Sequence, residues 1–150
     1  MKASGGYTYL ELLVVLGIIA VLTVMAVMLW SMGSIATNEA SAISSLRIIG
    51  IAETQYRLRN PIYGTLAELK DANLIRGPSL ASGRKSGYLF QANLYQSGQY
   101  NWYAEAVPET YNSSGIQSFY IDELMSIKNK DTGTSQFKLR DEAILWPSME

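Results

Sequence analysis

The sequence predicts an α+β fold in which one long N-terminal α-helix packs against a C-terminal antiparallel β-sheet. Three observations predict it. No proline occurs before Pro61, and the preceding stretch is first wholly apolar and then amphipathic. Thr65 and Glu68 stand at capping-box spacing directly after that stretch. Beyond Gly87 the period changes, and short runs rich in aromatic and β-branched residues alternate with turn material. The 150 residues are enough for one domain plus an additional element.

The helix is predicted from about Thr8 to Arg59. Between Leu12 and Trp30 no residue is charged, a run of about 19 positions, close to the roughly 20 that cross a bilayer. A cleaved secretory signal fits less well, because its apolar core is shorter, about 7–15 residues, and a small-residue cleavage site follows it closely. Here the nearest imitation, EASA from Glu39 to Ala42, lies well downstream. Trp30 suits the interfacial level, where an amphipathic ring meets headgroups. Lys2 is the only basic residue ahead of the run and Arg47 the first beyond it, so the short N-terminus is expected in the cytoplasm and the remainder outside. From Ile35 onward apolar side chains recur at helical spacing, at Ala42, Leu46, Ile49 and Tyr56, with Glu53 as a polar break. Asn38, Ser45 and Arg57 are expected on the opposite side. Such a helix would be roughly 80 Å long at 1.5 Å per residue, too long for a membrane alone. Its second half therefore needs a partner outside the bilayer. Asn60-Pro61 ends it, since proline disfavours helical geometry in the residue before it.

A short helix from Leu66 to about Asn73 follows the Thr65 cap, and Gly77-Pro78 closes it. Ser79 to Ser86 reads as a loop. Strands are predicted at Gly87–Tyr95, Tyr100–Val107 and Ile116–Glu123, the first pair joined by a hairpin connection through Gln96-Ser97-Gly98-Gln99. Pro108 to Gly115 reads as a longer loop. A fourth strand is expected within Met125–Lys128 and an edge strand at Gln136–Leu139. The tail offers Leu139, Ile144, Leu145 and Trp146 as packing anchors.

Composition narrows the function. With no cysteine and no histidine, disulfides, thiolate metal sites, cysteine nucleophiles and the commonest general base are all absent. Twelve basic and thirteen acidic residues balance, so nothing suggests a polyanion partner. Arg84, Lys85 and Tyr88, or Lys128, Lys130 and Lys138, read as a solvated surface rather than a nucleic-acid interface. Asn129-Lys130-Asp131-Thr132-Gly133 reads as an ordinary turn, because Lys130 opposes a cation and the carboxylates are not clustered. Asp122-Glu123 and Asp141-Glu142 are neighbours in sequence, which on a strand point to opposite faces. The tyrosines, Tyr56, Tyr88, Tyr95, Tyr100, Tyr103, Tyr111 and Tyr120 among them, read as sheet and interface packing. No phosphate loop, nucleophile elbow or metal-ligand spacing occurs. An enzyme is not expected, and no cofactor or metal.

The N-terminus carries the sharpest signal. Gly6-Tyr7-Thr8-Tyr9-Leu10-Glu11 followed by LLVVLGIIAVL resembles the N-terminus of type IV pilins and the related pseudopilins: a short basic leader ending in glycine, an aromatic residue, and a glutamate at the head of a long apolar helix. The likeness is densest over Gly6 to Leu22 and looser over Ala52–Leu69. It implies a leader at residues 1–6, cut after Gly6 by a prepilin peptidase, and Tyr7 as the new and N-methylated terminus. It further implies a membrane and assembly helix at residues 7–30, with Thr8 and Glu11 serving assembly, and an α+β head at residues 31–150 that includes the amphipathic half of the helix. Partners implied are further copies of the chain in a helical filament, the assembly platform with its ATPase, and the bacterial inner membrane before extraction to an extracellular pilus. Three features depart from the family pattern. Tyr9 replaces the usual leucine, Met28 stands where many members have proline, and the C-terminal disulfide loop is missing.

Glu11 makes physical sense in that setting. A carboxylate costs roughly 2.5–3.5 kcal/mol at the centre of a membrane helix and less near an end. In a helical stack it can meet the Tyr7 amine of a neighbour, and an unpaired buried charge then penalises every wrong register. Apolar area supplies the adhesion and Glu11 the registration. The alternatives are a type II secretion pseudopilin, which shares this chemistry, and a monomeric membrane-anchored extracytoplasmic binding domain. The last predicts an uncut leader and a Glu11 that merely snorkels to the interface.

Overall fold

The computed structural model describes residues 7–94, 101–138 and 140–149, without the side chains of residues 27–29 and 31. The fold is α+β. Helix α1 runs from Tyr9 to Arg59, α2 from Leu66 to Asp71, α3 from Pro78 to Ala81 and α4 from Arg140 to Ala143. Strands β1 (Arg84–Lys85), β2 (Tyr88–Leu94), β3 (Trp102–Pro108), β4 (Gln117–Asp122) and β5 (Ile127–Asp131) form one antiparallel sheet in chain order. The chain divides between Ser34 and Ile35 into two units, and α1 contributes to both.

In the second unit the core forms between one side of α1 and one face of the sheet. Ala42, Leu46, Ile49 and Ala52 share a cluster with Phe90 and Ala92 of β2, Trp102, Ala104 and Ala106 of β3, and Phe119 and Ile121 of β4. The spacing along α1 keeps one stripe inward, and alternate strand residues meet it. Polar contacts pin the helix beside the stripe. Glu39 Oε1 accepts from the backbone N–H groups of Ile116 and Gln117 at 3.0 and 3.1 Å. Asn38 Nδ2 donates to the Ser114 carbonyl, and Lys85 Nζ donates to Ser45 Oγ. Asn38 is thus half-buried and Ser45 fully buried, so neither lies on the solvent side that the sequence suggested.

Beyond α1 the capping box is present as predicted. Thr65 Oγ1 accepts from the Glu68 N–H while Glu68 Oε2 accepts from the Thr65 N–H. The segment read as a loop, Ser79 to Ser86, instead holds α3 and β1. Pro78 at the first helical position starts α3. Ser86 and Gly87 both adopt positive φ, 49° and 70°, which makes a two-residue hairpin turn pairing Lys85 with Tyr88. The fourth strand lies later than expected, because Met125 sits at φ 59° and no strand passes through it. Gln136–Lys138 form no strand, and Leu139 lies outside the described residues, as does the connection Gln96–Gln99. The outer edge of β5 is covered instead by the tail. The Asn129 N–H donates to the Pro147 carbonyl at 3.1 Å and the Met149 N–H to the Ile127 carbonyl at 2.8 Å. Trp146 and Ala143 are buried, Ile144 is half-buried, and Leu145 is 82% exposed, so the tail packs on different anchors than its apolar content suggested.

Candidate functional site

Helix α1 begins where it does because Thr8 caps it. Thr8 Oγ1 accepts from the Glu11 N–H at 3.3 Å, and the Thr8 carbonyl accepts from the N–H groups of Glu11 and Leu12 at 3.1 and 3.2 Å. The T-x-x-E spacing of Thr8 and Glu11 repeats that of Thr65 and Glu68, a signal that places the helix start from sequence alone. Glu11 occupies the first turn, where a negative side chain complements the partial positive charge of unpaired N–H groups. Thr8 and Glu11 are therefore brought together by the cap. Gly6 lies outside the described residues, and the Tyr7 side chain is exposed.

From Tyr9 to Ala26 the helix is long and apolar enough to cross a membrane, and none of these residues is buried within the chain. Apolar side chains from Leu12 to Met25 are roughly half exposed on every side, as a helix without a protein partner must be. Thr23 satisfies its hydroxyl by donating to the Ile19 carbonyl at 2.7 Å, the way a polar side chain is accommodated in an apolar setting. Continuous exposed apolar surface of this extent marks an interaction with membrane or protein.

Elsewhere the remaining candidates resolve into structural roles. Arg84 pairs with Glu109. Lys138 reaches Glu142, and Arg140 reaches Glu123, each at 3.6 Å. Asp131 accepts from the Tyr111 hydroxyl and from the Gly133 N–H; the turn starts only there, because Asn129–Asp131, read from the sequence as part of it, pair with β4 as the end of β5. Among the described residues no three acidic side chains converge as a metal site would require. Asp122 is buried and accepts from the Leu124 N–H, whereas Glu123 faces Arg140. Tyr88 is buried and donates to the Gln117 carbonyl at 2.8 Å, its acidity lowered by burial and then by Glu39. Tyr103 stacks on Tyr120 with centroids 5.9 Å apart.

Two buried carboxyl groups escaped the sequence reading. Glu53, taken there as a break in the apolar face, is fully buried on it. Its Oε2 accepts from the Gly64 N–H at 3.0 Å, tying the helix end to the loop after Pro61. Burial raises its pKa to about 7, the Gly64 N–H opposing and Glu68 adding to the rise. Glu105, on β3, is raised to about 7 chiefly by burial, with the Lys138 backbone opposing and Glu142 adding. A signal existed for Glu53, since it follows Ile49 at the i+4 position of the stripe. For Glu105 the sequence shows a carboxylate on the outward face of a strand, and only the tail folding over it makes it buried. Comparisons with protein-family models, with curated proteins and with solved structures find no match.

Proposed function

We propose that the chain is a structural subunit of a type IV pilus or a closely related filament, and not an enzyme. The observation that carries the reading is an all-round apolar helix that starts at a Thr8 cap, holds one carboxylate, Glu11, in its first turn, and continues into an α+β head. Before assembly the subunit sits in the bacterial inner membrane with its N-terminus in the cytoplasm. A prepilin peptidase removes the residues through Gly6, and Tyr7 becomes the methylated terminus. The platform and its ATPase then extract the subunit into a homo-oligomeric helical filament with the heads outside. Within that stack the apolar helices adhere without direction, because the hydrophobic effect scales with area alone. Glu11 fixes their register by seeking the Tyr7 amine of a neighbour.

Mass spectrometry of the mature protein tests the reading. The expected result is Tyr7 as the N-terminal residue, carrying one methyl group. An intact Met1 removes the filament reading and leaves a monomeric membrane-anchored domain.

A further inference from the structure

The sheet face that does not meet α1 is roofed by the chain's own tail, and the fit beneath the roof is poor in hydrogen bonds. Tyr120 of β4 with Ala143 and Trp146 of the tail forms a second small cluster, against which Tyr103 packs. Glu105 stands opposite Tyr120 in the β3–β4 register. Both Glu105 carboxylate oxygens, the Tyr120 hydroxyl, Trp146 Nε1 and Glu123 Oε2 are buried without a well-formed hydrogen bond among the described residues. Such atoms give up their water for contacts of poor geometry, the Lys138 backbone beside Glu105 and Arg140 beside Tyr120. Among the described residues the polar contacts that fasten the tail include the Asn129–Pro147 and Met149–Ile127 backbone bonds, Lys128 Nζ on the Ile144 carbonyl, Lys138 on Glu142 and Arg140 on Glu123.

We propose that Arg140–Met149 is a releasable strap over the outer sheet face, seated while the Glu105 carboxyl beneath it is neutral and loosened when that carboxyl ionises. The groups around Glu105 favour this direction. Tyr103 on its own strand and Tyr120 on β4 present neutral hydroxyl-bearing rings, with Asp122 opposite Tyr103. Gln91 faces it from β2 without charge. The strap's Glu142 repels the ionised form, while the Lys138 backbone attracts it only partly. Of the cations nearby, the Lys138 side chain pairs with Glu142, Lys128 with the Ile144 carbonyl, and Arg140 with Glu123 while also acting on Tyr120. An ionised Glu105 gains most by admitting water, and lifting the strap admits it. Release uncovers Trp146 and Tyr120 and frees the backbone edge of β5, a surface suited to pairing with another strand.

Hydrogen exchange on the detergent-solubilised full chain, corrected for the intrinsic pH dependence of amide exchange, tests the strap. Between about pH 5.5 and 8.5, spanning the pKa of about 7 to which burial raises Glu105, protection of the Asn129 and Met149 amides should fall about tenfold more than that of the central β3–β4 amides. Glu105→Gln should abolish this excess fall, and Glu53→Gln, which neutralises the buried carboxyl of α1, should leave it in place. Equal falls in strap and sheet overturn the proposal, as does an excess that persists in Glu105→Gln or vanishes in Glu53→Gln. Should Glu105→Gln lose sheet protection altogether, the profile of the unaltered chain decides, since a strap as well protected at pH 8.5 as at 5.5 contradicts the proposal by itself.

Discussion

Helix α1 is one continuous element with two different fates. Between Tyr9 and Ala26 nearly every position is apolar and none is buried. Between Ile35 and Arg59 fewer positions are apolar, yet Ala42, Leu46 and Ile49 are completely buried. The difference lies in selectivity rather than in hydrophobicity. A stripe at 3.6-residue spacing picks one face and directs it to the sheet. A helix that is apolar all round picks none. Glu11 is the one charged side chain between Tyr9 and Ala26, and the proposed registration rests on it. In the second half polar contacts add to the stripe, because Glu39, Ser45 and Glu53 fix it on the head.

The largest expected effect breaks the first half alone. Glu11→Ala should leave membrane insertion and the melting of the head unchanged while lowering filament yield by tenfold or more, as judged by shed-fibre recovery (order of magnitude for loss of a registering charge pair). Next comes a change confined to the second. A Cβ on Gly115 would lie 2.0 Å from the Tyr88 hydroxyl oxygen, and Tyr88 is fully buried. Gly115→Ala should therefore destabilise the head by about 2–4 kcal/mol in denaturant titration, with no effect on insertion.

A smaller effect concerns pH. Glu53 and Glu105 have folded pKa values near 7, above the usual 4.5. Protonated carboxyls thus favour the folded state. Their contribution is fully present below about pH 4.5 and is lost as pH rises through 7, on the order of 3 kcal/mol for each at most. Head stability should decline from pH 5 to 8, and Glu53→Gln should flatten about half of that decline. An increase over the same range contradicts the burial account. The smallest effect sharpens the role of the caps. Thr65→Ala should cost the head about 1 kcal/mol, whereas Thr8→Ala should leave head stability unchanged and fray only the first turn of α1.

Much of this was legible in the residues. The proline-free run, the stripe from Ala42 to Ile49 and the Thr65–Glu68 box dictated α1 and α2 because each is a local pattern with a local cause. The aromatic alternation placed β2, β3 and β4 to within two residues. What escaped depended on contacts between distant segments. Ser86-Gly87 makes a hairpin because β2 offers β1 a partner, and Ser45 is buried because Lys85 arrives beside it. Glu105 becomes buried only when the tail closes over it. Leu145 was a reasonable anchor by composition, but the chain turns after Ala143 so that Trp146, and not Leu145, meets Tyr120. At the N-terminus the cap was readable from Thr8 and Glu11, whereas the partner of the exposed apolar helix lies beyond a single chain.

The most direct test is an image of the assembled fibre at side-chain resolution. Registration by charge predicts each Glu11 carboxylate within about 3 Å of the Tyr7 amine of an adjacent subunit, the length of a charge-assisted hydrogen bond. Fibres in which these groups stand well apart in every neighbouring pair, with Glu11 reaching solvent instead, contradict it.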